Sequence, residues 1–184
     1  MSLLTHDELV ELVQRDIITN VRMDQINAAS IDVTLGNVLW IEDNPHGQYN
    51  VVDLAQKETP HMMMVSMLST GYYDLQPGGF CLAGTREKFN LPNDLAAEFR
   101  LKSSLARAGL DAALAMWCDP GWHGSVLTLE LTNSLKMHSL RFRPGMKIGQ
   151  MVFHRGEPVP AHASYAAKGQ YNGDQAATPS KGVK

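Results

Sequence analysis

A chain of 184 residues, 44% hydrophobic and 19% charged, is long enough for one sizeable core and short for two. Its formal net charge of −3 lacks the basic excess of a nucleic-acid coat or a membrane-surface binder, so neither nucleic acid nor membrane is an expected partner. No window approaches the roughly 20 apolar residues that span a bilayer, and no basic stretch leads into an apolar run at the N-terminus, so a cytoplasmic protein is expected.

Thr5 followed by Glu8 fits a capping box, and Leu9, Val10, Leu12, Val13 and Ile17 continue at helical spacing, which predicts one short N-terminal helix. The signal then changes period. SIDVTLGNVLWI alternates Ile31, Val33 and Leu35 with polar neighbours, the pattern of a half-buried strand. PHMMMVSMLST places Met62, Met63, Met64 and Met67 within one short run, where core filling is expected and an oligomer contact is the alternative. QPGG, NLPND, DPGWHG and RPGM then punctuate short alternating segments, which predicts an all-β barrel or sandwich.

Within that series RLKSSLARAGL ends an apolar segment in a single helical turn closed by glycine. Lys102, Ser103, Ser104 and Arg107 crowd that turn and suit an anion; an N-capped surface turn is the alternative. In CDPGWHG, Pro120 and Gly121 are explained by a tight turn, which leaves Asp119 and Trp122 free to lie beside a sugar and a base. In SVLTLELTN, period two puts Leu127, Leu129 and Leu131 on one face and Val126, Thr128, Glu130 and Thr132 on the other. An enclosed Glu130 would have a raised pKa suited to moving protons; a solvent-facing Glu130 is the alternative.

Zinc is not expected. C-x-x-C is absent, HDE at His6 to Glu8 sits inside the capping box, and the histidines at 46, 61, 123, 138, 154 and 162 lack ligand spacing on a helix. Cys81 and Cys118 read as reduced core residues, and no Walker, dinucleotide or nucleophile-elbow motif occurs. The last twenty residues carry almost no apolar anchor and are expected to be mobile until something orders them.

Together KSSLARAGL, DPGWHGSVLTLELTN and RPGMKIGQMVF, in that order, resemble the dCTP deaminase family of the trimeric dUTPase-like superfamily, with SIDVTLG and GQYNGDQAATPSK as further matching segments. The resemblance implies a homotrimeric β-barrel or distorted jelly roll, residues 1–164, with a tail, residues 165–184, closing over nucleotide at subunit interfaces. It implies zinc-independent conversion of dCTP to dUTP and ammonia, with Mg²⁺ carried by the triphosphate and no protein-held metal. By motif position Ser103, Arg107 and Glu130 match the catalytic serine, arginine and proton-carrying glutamate. Lys102, Ser104 and Gln150 match phosphate contacts, Asp119 and Thr128 lie along the sugar and base, and Leu105, Ala106 and Leu129 count among the substrate contacts. Tyr165, Gln170, Tyr171 and Asp174 fall in the tail. Residues 111–118, DAALAMWC, lack the histidine and threonine usual in the family. A dUTP diphosphatase or bifunctional enzyme is one alternative, and a trimer sensing dCTP, dUTP or an inhibitory dTTP without turnover is another.

Overall fold

The computed structural model describes residues 2–45, 47, 51–113 and 115–182; His46, Leu114 and the last two positions of the expected tail lie outside them. A short strand β1 (Ser2–Leu3) leads into helix α1 (His6–Gln14), whose start is tied by the Thr5 amide donating to Glu8 Oε2 at 3.0 Å. Leu9 and Leu12 turn into the core from that helix. The strands that follow are β2 (Ile18–Thr19), β3 (Ile31–Glu42), β4 (Met62–Ser66), β5 (Tyr73–Leu75), β6 (Phe80–Asn90) and β7 (Leu95–Leu101). Helix α2 (Ser103–Arg107) separates these from β8 (Leu110–Ala112), β9 (Trp117–Cys118), β10 (His123–Asn133), β11 (Leu140–Phe142) and β12 (Lys147–Arg155), and α3 (Tyr165–Lys168) opens the tail.

The result is mostly β, as expected. Antiparallel strands run β8-β10-β6-β3-β12-β7-β9 in one curled sheet, with β1 on β12, β2 on β6 and β4 on β3; β5 and β11 form a separate pair. β3 is the spine, because its first residues pair with β12 (Asp32 opposite Gln150) and its later ones with β6 and β4 (Trp40 opposite Leu82 and Met64). The register slips between those halves, where a Cβ on Gly36 would lie 2.9 Å from the Gly84 carbonyl oxygen, so only glycine allows the two backbones to approach this closely. Phe89, Phe153, Leu129, Leu131, Ile148 and Met151 fill the interior beneath this curl.

Two expectations are corrected. Met63 and Met64 do not fill the core: they are 46% and 59% exposed on β4, an edge strand paired only to β3, and of that run Met67 alone is fully buried. β3 is also not half-buried, since Ile31 to Leu35 are all buried and the polar face is covered as well. Thr34 donates from its amide and hydroxyl to the Glu87 carboxylate, each at 2.8 Å, and Gln25 Nε2 donates to the same carboxylate at 2.9 Å. Glu87 is 0% exposed, so three donors depend on it where water cannot replace it. Glu87→Ala is expected to cost about 3 to 5 kcal/mol of stability, measured by denaturant unfolding.

Candidate active site

The two-residue alternation of β10 decides where its carboxylate goes. Leu127, Leu129 and Leu131 pack inward, and Thr128 and Glu130 point to the opposite face, into a cavity of about 470 Å³. Leu129, expected among the substrate contacts, is therefore turned away: its side chain is wholly buried in the core. Glu130 stands opposite Leu82 of β6 and shares the cavity with Phe80 of β6, Met62 of β4 and Val126 of its own strand. Its Oε2 is buried and has no hydrogen-bond partner. Burial in this apolar wall raises the Glu130 pKa, a backbone hydrogen bond opposing it only in part.

The tail forms the roof. Trp122 Nε1 and Ser125 Oγ both donate to the Tyr171 carbonyl at 2.9 Å, the Val126 amide donates to the Asp174 carbonyl at 2.9 Å, and Trp40 Nε1 donates to the Ala177 carbonyl at 2.7 Å. Gly84 lets the chain cross, since a Cβ there would stand 3.0 Å from the Ala177 amide nitrogen. Tyr165, Tyr171 and Asp174 line the cavity, as do Asp119 and Thr128. Gln170 does not line it; its carbonyl accepts from Lys181 Nζ at 2.8 Å, and the same ammonium reaches Asp174 at 3.1 Å and the Tyr171 ring. Lys181 was not anticipated from the sequence, because nothing in TPSK marks a lysine that folds back eleven residues.

Where a histidine and a threonine were noted as missing, the structure puts Ala115, Trp117 and Cys118 against the cavity. Trp117 Nε1 donates to Asp119 Oδ1 at 2.8 Å and fixes that carboxylate at the rim. Burial pushes the Cys118 thiol up to about 12, so it stays protonated and is no nucleophile near neutral pH.

Ser103, Ser104, Ala106 and Arg107 are exposed on α2, with Leu105 partly buried, and none of them lines the Glu130 cavity. Lys102 and Gln150 stand with them on a second, cationic area. There Lys102 Nζ donates to Asp32 Oδ1 at 2.5 Å, Lys147 Nζ lies 2.8 Å from Asp32 Oδ2, and Ser30 Oγ donates to Gln150 Oε1 at 3.0 Å. Burial alone would raise Asp32, but hydrogen bonds from Lys102, Lys147 and Asn27 outweigh it and hold its pKa below the usual carboxylate range. One chain thus presents a pocket with an acid and, apart from it, a basic turn. Among the described residues no three His, Cys, Asp or Glu side chains gather as a metal cage, and no helix is long and apolar enough to cross a membrane.

The family model described as dCTP deaminase-like matches residues 3–156, the part of the chain that holds the curled sheet, Glu130 and the Ser-Ser turn. The chain belongs to that family. It is 36% identical to a protein of Mycobacterium leprae over 85% of this chain and 82% of the relative, and 37% identical to one of Nocardia farcinica over 85% and 78%; both are named "dCTP deaminase, dUMP-forming". Among solved structures, the 2'-deoxycytidine 5'-triphosphate deaminase of Agrobacterium tumefaciens shares the fold, with a TM-score of 0.62 at 20% identity. That match covers 84% of this chain, which spans about half, 48%, of the other.

Because the folded pKa of Glu130 lies above its ordinary 4.5, its ionised form weighs against folding, and stability is lost as pH rises through the folded value. Glu130→Gln removes that loss. Its unfolding temperature is expected to gain on the parent's as pH rises above 4.5 and to level off once the folded value is passed, read by thermal scans across the range.

Proposed function

We propose that the protein is a dCTP deaminase in which Glu130 carries the proton. The observation behind this reading is the Glu130 carboxyl with one buried oxygen unpartnered, inside a cavity large enough for a pyrimidine nucleoside. An isolated acid in an apolar wall gains a partner when a cytosine enters. Water adds to C4 as Glu130 takes one of its protons and delivers it to N3, where it stays; Glu130 then takes the remaining proton from the C4 hydroxyl and passes it to the departing nitrogen, so the C4–N bond breaks, ammonia leaves and the oxygen remains as the C4 carbonyl of uracil. General acid–base help of this kind is worth about 10²–10⁴ in rate. Asp119, Thr128, Tyr165, Tyr171 and Asp174 surround the sugar and base in this reading.

The triphosphate needs hydroxyls and a fixed cationic fork, which Ser103, Ser104, Lys102, Gln150 and Arg107 supply. Since they lie apart from Glu130 in one chain, a complete site takes the turn from one copy and the pocket from another, and we assign a homotrimer on that basis. The donors around the turn are ammonium, guanidinium, hydroxyl and amide groups, and their one carboxylate, Asp32, is taken by two lysines. This set fits Mg²⁺ arriving on the phosphates of the substrate, where it screens their charge, better than a metal held by the protein. Acid–base work then falls on Glu130 without zinc. Cys81 and Cys118, unpaired and buried, suit the reducing cytoplasm in which we place the reaction.

The relatives' names, dUMP-forming, favour a second step at the same site, in which another water attacks the α-phosphorus and dUTP becomes dUMP and pyrophosphate. Incubation with Mg²⁺ and dCTP, assayed for ammonia and pyrophosphate, separates the readings. Ammonia with pyrophosphate is expected; ammonia alone stops the reaction at dUTP; tight binding of dCTP with neither product makes the protein a sensor. Glu130→Gln is expected to keep dCTP affinity within about threefold and to lose at least about 100-fold in kcat, whereas Arg107→Ala loses both binding and turnover. Near-normal turnover in Glu130→Gln would refute the role given to it.

A further inference from the structure

Resting on that reading of the phosphate arm, we propose that Lys147 is a further phosphate-binding side chain and that Asp32 is the positioning residue that holds it beside Lys102. The Asp32 carboxylate is 3% exposed and receives Lys102 Nζ, Lys147 Nζ and Asn27 Nδ2 at 2.5, 2.8 and 2.9 Å. One negative charge between two ammonium groups leaves the cluster with a surplus positive charge. Asp24, the other carboxylate whose charge Lys147 feels, is engaged by Arg22 through both oxygens at 3.0 and 3.2 Å. Asp24 is thereby paired, and the buried Glu87 carboxylate is taken up by Thr34 and Gln25, so Lys102 and Lys147 share Asp32 as their direct carboxylate partner.

Its place is informative. Lys102, which bonds this carboxylate, directly precedes Ser103, and Gln150 sits opposite Asp32 across the β3–β12 ladder, so two expected phosphate contacts lie beside it. Lys102 and Lys147 remain 29% and 41% exposed at the side chain, open enough for a ligand to reach. A buried ion triad is a poor way to gain stability, since apolar residues of similar volume do as well or better. As a way to fix two flexible ammonium groups before a polyanion arrives it is effective, because the ordering cost is met in advance.

The test compares the parent with Lys147→Ala, Lys147→Arg and Asp32→Asn in two assays, with thermal unfolding confirming that each variant folds. Steady-state deamination of dCTP, dCDP and dCMP is expected to show KM for dCTP raised about tenfold or more in Lys147→Ala with kcat within about twofold, a penalty that shrinks as phosphates are removed, and substantial recovery in Lys147→Arg. Asp32→Asn follows the same KM pattern. Calorimetric titration with Mg²⁺-free inorganic tripolyphosphate needs no turnover and is expected to show weaker binding in Lys147→Ala. An unchanged KM, an equal penalty for all three nucleotides, or unaltered tripolyphosphate binding would overturn the proposal. If the parent releases no ammonia from dCTP, the deaminase reading falls, while the tripolyphosphate titration still decides the role of Lys147.

Discussion

An unpartnered carboxyl oxygen inside an apolar wall is an unstable arrangement that the rest of the fold has to enforce. Glu130 cannot turn to solvent by slipping one residue along β6, because the same slip would bring Leu127, Leu129 and Leu131 out of the core and drive Thr128 and Glu130 into it. Three leucines thus hold one acid in place. The strain is electrostatic and is relieved by protonation or by a ligand that offers a hydrogen bond, which is the property a proton carrier needs.

The roof is held in a complementary way. Two indole donors, Trp40 and Trp122, reach tail carbonyls, and backbone or hydroxyl groups of β10 reach the same segment. These are main-chain contacts, so they fix the path of the tail without depending on its side chains. That leaves Tyr165, Tyr171 and Asp174 free to face the cavity. β3 links this region to the cationic one: Trp40 near its end ties the roof, and Asp32 near its start gathers the lysines. A single strand therefore carries both halves of what we read as a shared site, and a shift in it would disturb base and phosphate together.

Alternation made Glu130 legible, since a glutamate between leucines on a short strand has one face to occupy. The capping box at Thr5 and Glu8 and the turn at Ser103 were legible for the same local reason. Burial of Asp32 was not, because its partners lie 70 and 115 residues away and no local pattern announces them. Lys147 stood in RPGMKIGQ beside a turn that explained its own glycine and proline, and nothing asked for more. Met63 and Met64 went astray for the opposite reason: composition suggested core, and only the sheet order reveals that their strand has an uncovered edge.

The altered segment before Asp119 bears on how the acid is tuned. Where the resembled family carries a histidine and a threonine, this chain lines the cavity with Ala115, Trp117 and a Cys118 thiol that stays neutral, none of which bonds the Glu130 oxygen. A polar neighbour would have set the acid's affinity for a proton through a specific hydrogen bond. Here that affinity comes from burial, which responds to whatever fills the cavity: a base that displaces water deepens the desolvation, while its N3 and amino group supply the missing partners. In the proposed reading, substrate entry and the readiness of Glu130 to exchange a proton are then one event, coupled through the apolar wall of the cavity.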